Sequence, residues 1–257
     1  MISLIFKLEF SQICYFSKII ITFGKYEEIS LNIPFIDIHT HHPVNSEEIL
    51  SVPSMFLQDI DLHHELNGPF SSAIHPWHAA KFAPIKVIGM LEGLIRQPGL
   101  FAIGETGLDK ACSTEFKSQK VIFEIHLAFA EEFRKPLIIH AVRSWNDLIG
   151  YIRHASVPFI LHGYSEGIEL TKRLIDLGCY FSLGKSVLRL MPRFRETIQI
   201  IPLSSLFFET DDSHVIIGDI YKEAEKILGI SLDDLKIQIN KNFYKLSPIQ
   251  ILNPGEK

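Results

Sequence analysis

The sequence predicts an α/β fold, a TIM-like parallel barrel, and three observations carry that expectation. Five apolar runs stop at a side chain of metal-ligand type: FIDIHTHH (Phe35 to His42), FAIGETGLD (Phe101 to Asp109), PLIIH (Pro136 to His140), PFILH (Pro158 to His162) and LFFETDD (Leu206 to Asp212). Strand-like runs alternate with stretches of helical periodicity every 20 to 40 residues or so, roughly the length of a βα unit. Hydrophobic residues make up 47% of the 257, enough for one barrel-sized core. Strands that converge and present polar ends at one rim are how a parallel barrel builds a site.

Met1 to Ile33 is apolar but interrupted by Lys7 and Glu9. It lacks the basic start, clean apolar core and small-residue cleavage site of a secretory signal. We read it as an N-terminal extension that adds a strand or hairpin under the barrel or is dispensable, ahead of a barrel over residues 34–257. From Pro34 on, strands are expected to end near His39, His75, Gly104, His140, His162, Leu183 and Glu209. In Val121 to Phe133 a helix places Val121, Ile125, Ala128 and Phe129 on one face, and Pro136 stops the pattern. Glu169 to Leu177 repeats this, with Gly178 where a C-cap would sit. After Asp211 come two helix candidates, Ile220 to Leu228 and Leu232 to Phe243, and no eighth strand. The expectation is therefore a barrel that is distorted or has seven clear strands. An open doubly wound sheet is the competing architecture.

The net charge of −5 argues against a broad surface that coats nucleic acid, while leaving room for a local basic strip. Cys14, Cys112 and Cys179 are far apart and odd in number, so no disulfide framework is expected and the cytoplasm is the simplest location. No stretch approaches the ~20 apolar residues of a membrane span, and no obligate protein partner is evident.

His39 and His41 lie two apart on one predicted strand, so both imidazoles face the same side and can clamp a divalent metal. A pair of polar strand-end histidines is the plainer alternative. His42 faces away. Glu105, between Gly104 and Gly107, can aim a carboxylate inward and bridge two cations; an exposed loop Glu is its alternative. Asp109 either braces that loop or is a surface charge. His140 and His162 each close an apolar strand at the same relative position, which shifts the balance from core histidines toward ligands. Asp211 can bind metal with one oxygen and orient a water with the other. Glu209 faces the same way and can support the ligands or touch substrate. His-rich sets with carboxylates suit Zn²⁺, Mn²⁺ or Mg²⁺-type chemistry more than Ca²⁺. Lys185, Arg189, Arg193 and Arg195 have no acid among them and either bind phosphates at the mouth or form a solvated face. His75, Trp77 and His78 follow the second strand; Trp77 stacks on a base or packs under a loop. His63, His64, His126 and His154 read as helix or loop surface.

In order along the chain, Asp37/His39/His41, AIHPW (Ala73 to Trp77), IGETGLD, His140, LHGYSEG (Leu161 to Gly167) and ETD (Glu209 to Asp211) resemble the motif set of the TatD family of metal-dependent hydrolases. That set reads D-x-H-x-H, G-I-H-P, I-G-E-x-G-L-D, a strand ending in H, H-x-F-S-G and E-T-D. The similarity runs from Pro34 to about Asn242. It implies a TIM-like barrel, two divalent ions and a DNA or small phosphodiester substrate. One ion would take His39, His41, Glu105 and Asp211, and the other Glu105, His140 and His162. Asp37 and His75 would support the ligands or touch substrate. The chain departs from the pattern at Ala141 and Val142, which precede Arg143, at Gly163 and Tyr164, and at Ser213 and His214 after ETD. The expected activity is hydrolysis by a metal-activated water, with Asp211 as the proton acceptor, most readily of DNA from an end. Hydrolysis of an ester or amide bond in a small metabolite is the alternative on the same site, and metal binding without catalysis is a third reading.

Overall fold

Eight strands pair in sequence order, each parallel to the next. They are β1 (Phe35–Thr40), β2 (Ile49–Phe56), β3 (Phe70–Ala73), β4 (Leu100–Asp109), β5 (Leu137–Val142), β6 (Phe159–Leu161), β7 (Tyr180–Leu183) and β8 (Leu206–Phe208). Helices α1 (Pro84–Leu94), α2 (Phe116–Phe133), α3 (Trp145–Ile152), α4 (Ile168–Asp176) and α5 (Pro192–Ile200) connect the strands from β3 onward, and α6 (Ile217–Leu228) and α7 (Leu232–Leu246) follow β8. The structure, a computed structural model, describes residues 33–247 except 45, 67 and 190–191, and the backbone alone at 192–193. The expectations for Met1 to Asn32 and for the Arg193 side chain lie outside the described residues. No helix among the described residues is long and apolar enough to cross a membrane.

The architecture is a nearly closed eight-stranded TIM-like barrel, one strand more than the seven expected. The unanticipated strand is β2, ILSVPSMF. Pro53 and two serines hide it, because proline argues against a central strand. Here β2 pairs with β1 through Ile49, Leu50, Ser51 and, past a break in register, Pro53, and with β3 through Ser54, Met55 and Phe56. Pro53 is the last residue paired with β1 and immediately precedes the ladder to β3.

The seam between β1 and β8 has only one ladder bridge, Thr40 with Asp211, made by Asp211 N donating to His39 O (3.0 Å) and His41 N donating to Asp211 O (2.9 Å). Side chains supply what the ladder lacks. The Tyr221 hydroxyl of α6 accepts from Ile36 N (3.1 Å) and donates to Ile36 O (3.0 Å). Asp37 accepts from Thr210 N (2.9 Å) and Thr210 Oγ1 (2.7 Å). Burial pushes the Asp37 carboxyl up to about 7, although both Thr210 hydrogen bonds act against that rise.

The end of the barrel away from the ligands is covered by α7. Asn240 Nδ2 donates to Pro34 O (2.8 Å), Asn242 Nδ2 donates to Leu203 O (2.7 Å) and Leu206 O (2.9 Å), and the Phe243 ring stacks on Phe101 (centroids 4.8 Å apart). Gly178 follows α4 at φ 74, in its expected place after the helix end. The buried face of α2 is not the expected one. Gln119, Ile122, Phe123, His126 and Ala130 face the strands, while Ala128 is exposed and Ile125 and Phe129 pack against the smaller core under α1.

Candidate metal centre

The mouth of the barrel gathers the six residues named as ligands, and Glu105 is the hub. Its placement begins with two glycines. A Cβ on Gly104 would lie 2.6 Å from Ile138 Cβ, and one on Gly107 would lie 2.0 Å from His140 O. Glycine at both positions lets β4 press against β5 while its register shifts between Ile103 and Thr106, with Gly104 and Glu105 inside the irregularity. The Glu105 carboxylate is thereby buried in the barrel mouth.

Its two oxygens face different partners. Oε2 lies 3.5 Å from His39 Nε2 and 4.0 Å from His41 Nε2. Oε1 lies 2.6 Å from His140 Nδ1, 2.8 Å from His162 Nε2 and 3.1 Å from His75 Nε2. Asp211 Oδ1 completes the first side, 3.5 Å from His39 Nε2 and 3.9 Å from His41 Nε2. Three ligand-competent groups share this space: His39, His41 and Asp211; His39, Glu105 and His162; and His75, Glu105 and His140. His75, expected only to support or touch substrate, thus stands among the ligand atoms. Its Nδ1 accepts from Trp77 N (3.2 Å), which leaves Nε2 as the protonated nitrogen toward Glu105.

A ring of acids orients the histidines from behind. Glu209, fully buried, accepts from Gly163 N (2.6 Å) and lies 3.4 Å from His162 Nδ1. Asp109 lies 3.3 Å from His140 Nε2 and accepts from Trp77 Nε1 (2.7 Å), Ala111 N (2.7 Å) and Cys112 N (3.1 Å). Asp109 is therefore a loop brace and not a surface charge. It holds the half-exposed Trp77 ring edge-on to His75, centroids 4.6 Å apart. His42 and His214 are exposed and stack on each other, centroids 4.7 Å apart, across the seam. Lys185 pairs with Asp212 (3.1 Å) and Arg189 is exposed. His126, expected at a surface, is fully buried.

The electrostatics are those of a cation cradle. Burial and His162 lower the His39 pKa, but Asp211 and Glu105 outweigh them and raise it to about 9. His162 is likewise held well above the usual histidine range: burial opposes this, and Glu105 and Glu209 override it. Burial alone would raise the Glu105 carboxyl, yet His162, His140 and His39 bring it well below the usual range. A metal ion bound through His39 and His162 would have to displace the protons they carry. Its apparent affinity should therefore rise with pH from neutrality to about 9, tenfold per unit for each proton displaced, as a rough scale. Calorimetric titration with Zn²⁺ in two buffers of different ionisation enthalpy measures the protons released; none released at pH 7 would contradict this charge distribution.

The model of the TatD-related DNase family matches residues 52–246 of this chain. The chain belongs to the TatD-related DNase family. Among its relatives in this family of metal-dependent hydrolases is YcfH of Escherichia coli K12, an uncharacterized metal-dependent hydrolase. It is 28% identical over 198 residues, which cover 70% of this chain and 74% of YcfH. The uncharacterized metal-dependent hydrolase TatD of Mycobacterium tuberculosis is 30% identical over 149 residues, covering 54% of this chain and 56% of that protein. In fold, the chain resembles the crystal structure of the TatD homologue YjjV from E. coli K12, with a TM-score of 0.70 at 19% identity over 84% of this chain and 98% of YjjV. A TatD family hydrolase from Entamoeba histolytica gives 0.66 at 15% identity over the same shares of the two chains.

Proposed function

We propose that this TatD-family protein is a divalent-metal-dependent phosphodiesterase that cleaves DNA from an end, with small phosphodiesters also accepted. The observation that carries the reading is the divided Glu105 carboxylate, one oxygen toward the β1 histidines and the other toward His75, His140 and His162. A carboxylate so placed can serve two cations and offset their repulsion.

The residues fit such ions. His39 is fully buried, and neither ring nitrogen has a hydrogen-bond partner; its 3.5 Å approaches to Glu105 and Asp211 are too long to count as such. A buried ring held only by these long charge contacts, with no hydrogen bond, is incompletely satisfied, and a cation at Nε2 would supply the missing partner. In the proposed assignment His39, His41, Glu105 and Asp211 hold one ion and Glu105, His140 and His162 the other, as Zn²⁺, Mn²⁺ or Mg²⁺. Bound there, Zn²⁺ would supply a water of pKa near ~7, and any of these ions would neutralise charge on a phosphoryl oxygen.

The chain's own groups do the rest. Asp211 accepts the proton of the attacking water. Glu209 and Asp109 fix the orientation of His162 and His140. His75 donates its Nε2 proton to Glu105 and so steadies that carboxylate, and Trp77 offers a ring face to a base. Asp37 holds Thr210 and with it the turn that presents Asp211. Lys185, Arg189 and Arg193 form the proposed phosphate track. The exposed pair of Lys185 with Asp212 is weak enough for a phosphate to replace.

The test is cleavage of single-stranded DNA in Mg²⁺, Mn²⁺ and Zn²⁺, beside panels of small esters and amides. Replacing Lys185, Arg189 and Arg193 together by Ala should flatten the dependence of log binding on log salt by about 2 units, at roughly 0.7 per single-strand phosphate contact. Turnover of a small phosphodiester should survive. An unchanged slope rules out the track. Ester or amide turnover with no DNA cleavage in any metal would establish the metabolite-hydrolase alternative, which the departures at Ala141, Val142, Ser213 and His214 favour.

A further inference from the structure

Glu105 sits where the sheet itself gives least support. The β3–β4 ladder ends at Ser72 with Ile103, so nothing in it ties Ile74 and His75 to Glu105 and Thr106. On the other side, β4 slips register against β5 between Ile103 and Thr106. The hub is thus carried on backbone that neither neighbour pins at that point.

A side chain from outside the barrel bridges the gap. His126 of α2 has no exposed surface. Its Nε2 accepts from Ile74 N (3.3 Å), so its proton is on Nδ1, donated to Thr106 Oγ1 (2.8 Å). Ile74 immediately precedes His75, and Thr106 immediately follows Glu105. One imidazole therefore stands in for the missing ladder bonds between the two segments that carry these residues. Burial lowers its pKa to about 3, which keeps it neutral and its tautomer single. Seven residues earlier on the same helix face, Gln119 acts on the same strand. Its Oε1 accepts from Asp109 N (2.7 Å) and its Nε2 donates to Asp109 O (2.9 Å). Two buried polar residues at i and i+7 thus contact β4 just past Glu105 and at Asp109, on a helix face that is otherwise apolar.

We propose that His126 is a positioning residue for the metal centre: it sets the distance between Glu105 and His75 by hydrogen-bonding the segments behind both. The inference rests on the reading of Glu105 as a metal ligand. A group that hydrogen-bonds a ligand directly is worth about 10- to 100-fold in metal affinity, and His126, one residue removed from Glu105 and His75, is expected at the lower end of that range.

The experiment uses the full chain loaded with Co²⁺, following its visible absorption and its affinity by chelator competition. His126→Leu should weaken Co²⁺ binding by about 10-fold and alter the spectrum. His126→Gln, which keeps an acceptor and a donor, should recover most of both. Thr106→Val severs half of the brace at nearly constant shape and should move both readouts the same way, and it serves if His126→Leu does not fold. Ile122→Ala, on the same buried face but without a polar contact, should lower the melting temperature and leave affinity and spectrum unchanged. Wild-type affinity and spectrum in folded His126→Leu or in Thr106→Val would overturn the inference while leaving the metal reading intact. Equal effects from Ile122→Ala would reduce His126 to general packing. A wild-type chain that takes up no Co²⁺, Zn²⁺ or Mn²⁺ would overturn the metal reading itself, and the inference with it.

Discussion

Glu105→Ala should leave a folded barrel that no longer holds metal. Every other proposed ligand atom is organised around this carboxylate, and it is the one negative group facing both halves of the centre. Its removal leaves His39, His41, His75, His140 and His162 facing one another, with Asp211 beside the β1 pair and Asp109 and Glu209 behind His140 and His162 as the remaining counter-charges. Two cations in that space would repel each other without a shared anion. The loss should exceed the ~10- to 100-fold that follows removal of an outer contact. Metal analysis after dialysis measures it directly. Thermal melts give a second readout: added metal raises the melting temperature of a chain that binds it and not of one that does not. Unchanged metal content would show that Glu105 bridges nothing.

Asp211→Asn should do the opposite, keeping much of the metal and losing turnover by about 10²- to 10⁴-fold, the value of a positioned general base. Asn retains a carbonyl oxygen as ligand but takes no proton. The substitution is also the one the backbone tolerates. Asp211 adopts φ 54, a left-handed conformation in which Asp and Asn are enriched and most other side chains are strained. Asp211→Ala would confound chemistry with that strain. Single-turnover rates on a small phosphodiester, with metal content measured on the same sample, separate the two effects. Near-wild-type turnover in a metal-replete Asp211→Asn would assign the proton to another group.

The strands that carry ligands were legible because each is a short apolar run ended by one polar residue, and burial on both sides of a barrel strand imposes that pattern. β2 was not, since Pro53, Ser51 and Ser54 break the pattern where the strand changes partner. The convergence of His39, His41, Glu105, His140, His162 and Asp211 followed from their shared place at strand ends. The entry of His75 into the same cluster did not, because it lies two residues past the end of β3, where its ring accepts from Trp77 N. His126 and Gln119 were the hardest to find. A polar residue on a helix reads as solvent-facing by periodicity, and here the apolar positions Ile125 and Phe129 drew the face toward the wrong side. The groups that α2 meets there, Ile74 N, the Thr106 hydroxyl and the Asp109 backbone, explain why its inner face is polar at two points.

The seam between β1 and β8 has a consequence for the order of events in the life of the chain. Asp37 and Thr210, which close it, are 173 residues apart in sequence. At ribosomal speeds of roughly 5–20 residues per second, on the order of ten seconds or more separate the synthesis of the two sides. During that interval His39 and His41 exist without Asp211, and the β1 edge has neither Thr210 nor the Tyr221 hydroxyl to meet it. On the proposed ligand set, metal uptake at the complete centre would follow closure of the seam. Chains that stop before β8 carry an open β1 edge, the feature that makes incomplete sheets prone to aggregate.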